Sequence, residues 1–315
     1  MNKNRAFVFP GQGSQVIGMG KDFYDNFSVA KLTFQLIDDA LNCKLSDLIF
    51  NGQDTELSLT TNTQPALMAV SIAITNVIKE QTHSNIGNLC QYVAGHSLGE
   101  YSALCASEST NLTDTAKLLQ IRGKAMQKAC GIEVGGMVAC IGIDIATLEQ
   151  IINDCTETGL CQIANDNIAE QIVISGHNHI LEKVTAILKD LGCKAVKLKV
   201  SAPFHCDLMK PAEQQMAESL SEILINVPIV PVIANVTARP AIDPIEIKSN
   251  LINQVCGRVR WRETIEHLIQ LNIEEVIEVG SGKVLTNMIK RAGYKLRTTN
   301  IGTVAELDAF LDATT

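Results

Sequence analysis

The run Gly95-His96-Ser97-Leu98-Gly99 constrains this chain more than any other feature. Before it, Gln91-Tyr92-Val93-Ala94 reads as a short buried strand. After it, Tyr101, Leu104 and Cys105 fall on one helical face. A strand that turns sharply into a helix crowds its own backbone, so side chains beside the turn collide and glycine is required. Strand, G-x-S-x-G, helix is the nucleophile-elbow context. It exposes a hydroxyl at a helix N-terminus, where backbone N–H groups can hold an oxyanion. The alternative for the same five residues is a glycine-rich turn whose serine only caps the helix.

An elbow of this kind implies an α/β fold with a parallel sheet, and the rest of the chain agrees. Ala6-Phe7-Val8-Phe9 reads as a buried strand stopped by Pro10-Gly11, and helical patterns run from there to about Gln81. Thr113 is placed to cap a helix reaching about Cys130. From Met137 the texture changes. Strands are expected at 137–141, 160–164, 171–174 and 195–200, the last alternating as a half-buried strand. A helix through Leu148, Ile151 and Ile152 follows the first of them. A second, capped by Asn178 and ended by Gly192, follows the third. The order β-α-β-β-α-β is that of a ferredoxin-like unit. The expected organisation is a large α/β domain at 1–129 and 200–315, with a small inserted domain at 130–199. Val276-Ile277-Glu278-Val279 is a late strand of the large domain.

A serine hydroxyl needs a base. Of six histidines, His83 lies in a polar loop and His177 and His179 flank a loop of the inserted unit. His267 lies on an amphipathic helix, and His96 precedes the serine and is expected to point away from it. His205, in Ser201-Ala202-Pro203-Phe204-His205, follows a strand end where the chain re-enters the large domain. That is where sites are built, so His205 is the candidate base. Arg122 falls on the inward stripe of its helix with Leu118, Leu119, Ala125 and Met126. A buried guanidinium needs an anion. It either grips a substrate carboxylate bidentately, or it snorkels out or pairs with a structural carboxylate.

Other classes are disfavoured. Gly11-Gln12-Gly13-Ser14-Gln15-Val16 lacks the third glycine of a dinucleotide fingerprint, and Gly280-Ser281-Gly282-Lys283-Val284 lacks the Ser or Thr of a phosphate loop. The net charge of −8 argues against nucleic acid. No apolar run approaches the roughly 18 residues of a membrane helix, since Ala66 to Ile78 is short and interrupted by Ser71, Thr75 and Asn76. The N-terminal run Met1-Asn2-Lys3-Asn4-Arg5 does not read as a signal peptide. Ten cysteines contain no C-x-x-C pair. Reduced thiols of a cytoplasmic protein are expected rather than disulfides or a metal site.

Taken together, the residues resemble the malonyl-CoA:acyl carrier protein transacylases of bacterial fatty acid synthesis. The resemblance rests on 7–15 (FVFPGQGSQ), 63–67 (TQPAL) and 94–101 (AGHSLGEY), then 122–126 (RGKAM), 201–205 (SAPFH) and 282–285 (GKVL), in family order over nearly the whole chain. It implies a hydrolase-like large domain with a ferredoxin-like insertion. It implies Ser97 as the acylated residue and His205 as its base, oriented by the Gln254 backbone carbonyl rather than by an aspartate. Gln12 and Leu98 would supply oxyanion N–H groups, Arg122 would hold the malonyl carboxylate, and Phe204 and Met126 would line the acyl site. Substrates would be malonyl-CoA and the phosphopantetheine thiol of holo-acyl carrier protein. No tightly bound cofactor, metal, nucleic acid or membrane would be involved, and the chain would be a cytoplasmic monomer. The chain departs from the family at Gly257-Arg258-Val259-Arg260-Trp261, where Asn-Pro-Val-x-Trp is common. Both substrates are anionic, so docking needs a local basic surface, at Arg258, Arg260 and Arg262 or at Lys290 and Arg291. A serine esterase or thioesterase, and a catalytically silent carrier-protein scaffold, are the competing readings.

Overall fold

The structure, a computed structural model, describes residues 4–131 and 133–313, so residues 1–3 of the N-terminal run lie outside it. Among the described residues ten strands form two sheets. They are β1 (Arg5–Phe9), β2 (Tyr92–Gly95), β3 (Gly135–Ile141), β4 (Cys161–Ile168) and β5 (Gln171–His177). They continue as β6 (Lys194–Lys197), β7 (Val232–Ile233), β8 (Pro240–Ala241), β9 (Glu275–Val279) and β10 (Arg297–Ile301).

The larger sheet has the order β10-β9-β1-β2-β7-β8, parallel except for the antiparallel edge pair β7–β8. Its central strands β1 and β9 are buried along their whole length. Strands covered on both faces read as continuous rather than alternating runs. The register Phe9↔Gly95 ends β1 and β2 level with each other. The loops leaving their carboxyl ends, Pro10-Gly11-Gln12 and His96-Ser97-Leu98, therefore lie side by side, at the edge where open α/β sheets bind ligands. The helix Thr60–Thr82 is buried nearly all round and packs against Leu112–Lys128 and Gly99–Ala106. Such a helix belongs to the core.

The second sheet, β4-β5-β3-β6, is antiparallel throughout. The two-residue period of β3 divides it between two cores. Val138 and Cys140 pack with Leu148, Ile152, Leu181 and Val184 of the helices Ile145–Cys155 and Asn178–Asp190. Met137 and Ala139 face the other way and join the core of the larger sheet.

Three local expectations shift. The helix expected from Thr113 starts at Leu112, because the Asn111 side chain accepts from the Asp114 N–H and caps it. The helix Asn178–Asp190 is preceded by His177, while Asn178 is its first residue and donates to the Glu133 carbonyl instead. β6, expected to reach Val200, ends at Lys197; the Leu198 N–H still donates to the Met137 carbonyl of β3, and the chain leaves the sheet after it. No helix among the described residues is long and apolar enough to cross a membrane, and all ten cysteines are free.

Candidate active site

β2 ends at Gly95, and the helix Gly99–Ala106 begins four residues later. Ser97 between them has φ 54°, in the left-handed region that a residue with a Cβ occupies only when its surroundings impose it. A Cβ on Gly95 would collide with the Gly99 carbonyl, and one on Gly99 with the Phe9 carbonyl. The strained turn is held from both sides. The Ser97 N–H donates to Asn235 Oδ1 at 2.7 Å, and Asn235 Nδ2 donates to the Gly95 carbonyl at 2.7 Å. The Ser97 carbonyl accepts from Gln254 Nε2 at 2.9 Å.

Ser97 Oγ lies 2.8 Å from His205 Nε2. His205 Nδ1 lies 2.9 Å from the Gln254 carbonyl and 3.1 Å from the Gly257 carbonyl. Carbonyls only accept, so Nδ1 carries the ring proton and Nε2 is left with its lone pair toward the hydroxyl. Burial, followed by the nearby Arg122 cation, pushes the imidazole down to about 3. His205 is therefore neutral, the form that can take a proton, across the ordinary pH range. Two carbonyls, and no carboxylate, orient this ring. The Gly257 segment that departs from the family pattern supplies the second of them.

Arg122 is buried, at 1% exposure. Nη1 donates to Gln64 Oε1 at 2.8 Å, and Nη2 donates to Gln254 Oε1 at 2.9 Å and to Ser97 Oγ at 3.2 Å. The guanidinium carbon stands 5.6 Å from the centre of the Tyr101 ring. Among the described residues Arg122 forms no ion pair, and its buried Nε–H has no hydrogen-bond partner. A buried cation held only by neutral acceptors has carried the cost of desolvation without a bonded counter-ion. Burial lowers its proton affinity, yet a guanidinium stays charged.

Gln12, Ser97, Leu98, Arg122, Met126, Phe204 and His205 border one pocket of about 100 Å³. Leu98 precedes the first turn of its helix, where backbone N–H groups have no intrahelical acceptor. Met137, Leu198 and Val200 close the pocket from the second sheet's side, which is where the residues beyond β6 go. A wider groove of about 600 Å³, past Cys161, Asp207 and Cys256, is lined by neither Ser97 nor His205. His96, expected to point away, also borders the pocket, and its Nε2 lies 2.8 Å from Asn167 Oδ1. His267 is a surface residue bonded to Arg239. The arginine triplet expected to offer a basic surface is compensated. Arg258 pairs with Glu149 at 3.3 Å, Arg260 with Glu263 at 2.9 Å and Arg262 with Asp166 at 2.8 Å. Among the described residues no three His, Cys, Asp or Glu side chains are grouped to hold a metal ion.

Three site residues escaped sequence reasoning: Asn235, Glu100 and the side chain of Gln64. Gln64 and Glu100 lie in segments that carry the family resemblance, which was their only signal.

A nucleophile elbow, a histidine without a carboxylate and a buried cation beside the serine define a serine-dependent acyl-transfer class. The family described as acyl transferase domain matches residues 6–307. The malonyl CoA-acyl carrier protein transacylase of Bacillus subtilis (strain 168) is 43% identical over 295 residues, covering 93% of this chain and 92% of that one. A crystal structure of acyl-carrier-protein-S-malonyltransferase from Bartonella henselae is 50% identical, with a TM-score of 0.95 and 98% of each chain covered. A type II PKS acyl-carrier protein in complex with its malonyl-transacylase aligns at 35% identity and a TM-score of 0.94, over 98% of this chain and 99% of that one. The chain belongs to the acyl transferase family, among its malonyl CoA-acyl carrier protein transacylases.

Proposed function

We propose that the chain moves the malonyl group of malonyl-CoA to the phosphopantetheine thiol of acyl carrier protein through a malonyl-serine ester. One observation carries this reading: Ser97 Oγ stands 2.8 Å from the base His205 and 3.2 Å from the guanidinium of Arg122. A nucleophile between a proton acceptor and a cation suits an acyl group that itself bears a carboxylate.

His205 Nε2 takes the Ser97 proton as Oγ attacks the thioester carbonyl. The carbonyl oxygen becomes an oxyanion, received by the Gln12 and Leu98 N–H groups. The C–S bond breaks, and coenzyme A leaves as a thiol carrying the proton from His205. In the second half, His205 takes the proton of the carrier-protein thiol. Its sulfur attacks the ester, the C–O bond breaks and Ser97 regains its proton. Arg122 binds the malonyl carboxylate throughout, and Phe204 and Met126 bound the acyl chain.

No tightly bound cofactor enters this scheme, and we place the enzyme in the cytoplasm as a monomer. The compensated arginine triplet leaves Lys290 and Arg291 as the basic docking surface. Among the described residues neither forms an ion pair, and Arg291 donates to Gln171. The order β4-β5-β3-β6, with one helix after β3 and one after β5, supports a ferredoxin-like domain at 130–199. It is carried by a hydrolase-like domain at 1–129 and 200–315.

Intact-mass measurement after mixing with malonyl-CoA tests the reading. The native chain should gain one malonyl group, lose it when holo-acyl carrier protein is added, and keep it far longer in water alone. Ser97→Ala should gain nothing. An adduct on Ser97→Ala moves the nucleophile elsewhere, and rapid loss of the adduct without carrier protein makes the chain a thioesterase.

A further inference from the structure

Glu100, on the first turn of the helix Gly99–Ala106, is buried at 2% exposure, and the scheme above gives it no part. Its Oε2 accepts two hydrogen bonds, from Gln254 Nε2 at 2.7 Å and from the Asn235 backbone N–H at 3.0 Å. These two partners are the residues that clamp Ser97. The Asn235 side chain holds the Ser97 N–H, and the Gln254 side chain holds the Ser97 carbonyl. Both clamps on the strained residue thus end on one carboxylate oxygen.

We propose that Glu100 is a positioning residue for acyl transfer, fixing the Ser97 backbone through Asn235 and Gln254 and setting which end of the Gln254 amide faces Arg122. The second half of this rests on the reading that Arg122 receives the malonyl carboxylate. A glutamine amide is nearly symmetric in shape, so its orientation follows from its neighbours. Glu100 Oε2 and the Ser97 carbonyl are acceptors, so both hydrogens of Nε2 turn toward them. Oε1 is then left for Arg122 Nη2. The same Gln254 orients His205 through its backbone carbonyl. Nucleophile, base and cation therefore share one hub, and Glu100 anchors it.

The carboxylate also acts on Arg122 by charge. Arg122, on the helix Leu112–Lys128, and Tyr101, on the same helix as Glu100, are the ionisable groups facing it, while Asn235 and Gln254 face it as neutral amides. Burial pushes the carboxyl up to about 7, against the opposing pull of Gln254, Asn235 and Arg122. Ionised Glu100 offsets part of the Arg122 charge that a malonyl carboxylate would use. Glu100 loses its proton as pH rises through neutrality, so malonyl binding should weaken over that interval.

Single-turnover acylation by the malonyl thioester of N-acetylcysteamine, which carries no phosphate to titrate, tests this from pH 6 to pH 8. Glu100→Ala should slow Ser97 acylation about 10²-fold, the cost of a misplaced reacting group. Glu100→Gln keeps an acceptor oxygen for both clamps and should restore most of that rate. In native protein the half-saturating thioester concentration should rise about fivefold across the interval, the low end of coupling between two binding events. In Glu100→Gln it should be low and flat. A native rate in Glu100→Ala, or a native pH slope in Glu100→Gln, overturns the proposal. Should the native chain form no malonyl ester at all, the transfer reading itself fails, and this one with it.

Discussion

At the residue scale, the acyl preference proposed above rests on Arg122. Its partners are the neutral oxygens of Gln64, Gln254 and Ser97, and one buried N–H is unspent. A malonyl carboxylate would complete this arrangement, whereas an acetyl group would leave it as it is. Arg122→Ala should slow malonyl transfer by roughly 3–5 kcal/mol, the scale of removing one partner from a buried ion pair. Acetyl transfer should change far less, so the malonyl-to-acetyl ratio collapses. Parallel intact-mass time courses with malonyl-CoA and acetyl-CoA measure that ratio, and an unchanged ratio rules out the arginine's role. Arg122 was legible in the sequence because its helix repeats every 3.6 residues and a cation stood on the apolar stripe. Gln64, Asn235 and Glu100 were not. Their partners lie 58, 138 and 154 residues away, across separations that no periodicity spans. His96 was misplaced because the sequence does not show that β4 supplies Asn167 opposite its ring.

At the element scale, the elbow depends on close approach of backbone to backbone. Gly95 lies against the Gly99 carbonyl, Gly99 against Phe9, and a Cβ on Gly11 would come within 2.6 Å of the His96 carbonyl. Each obstacle is backbone, so none can yield by rotating a side chain. Gly95→Ala should lower the melting temperature by about 6–8 °C, the scale of about 4–5 kcal/mol of strain in a chain this size. It should also abolish acylation in whatever fraction stays folded. A melting curve with an acylation assay on the same sample checks both, and native behaviour would contradict the account of the turn. The elbow was legible because strand, turn and helix are contiguous. Element ends were less so. Asn111 and Thr113 are both capping residues, and only the local fold chose between them. Leu198 and Val200 continue an alternating pattern past the end of β6, and both line the pocket.

At the scale of the whole molecule, a chain of net charge −8 must attract anionic partners through a restricted patch. Reversing Lys290 and Arg291 to glutamate should raise the KM for holo-acyl carrier protein about tenfold at low salt and flatten its salt dependence. Acylation by the malonyl thioester of N-acetylcysteamine should stay as in the native chain. Steady-state transfer at several ionic strengths measures this, and an unchanged KM moves docking to another face. The two-sheet organisation was legible as a change of texture near Met137. The pairing of Arg258 with Glu149 and of Arg262 with Asp166 was not, because charge in a sequence has no address until the chain folds.

The pocket has one more consequence. Its reactive groups belong to the larger sheet and its connections, whereas Met137, Leu198 and Val200 come from the second sheet and the segment that leaves it. Part of the pocket wall is thus supplied by the second sheet and the segment leaving it, and not by the elbow. Selection can widen, narrow or reshape that wall by altering a few aliphatic side chains while the elbow stays untouched. An architecture divided in this way lets a lineage diversify the cargo it accepts without reinventing the chemistry that moves it.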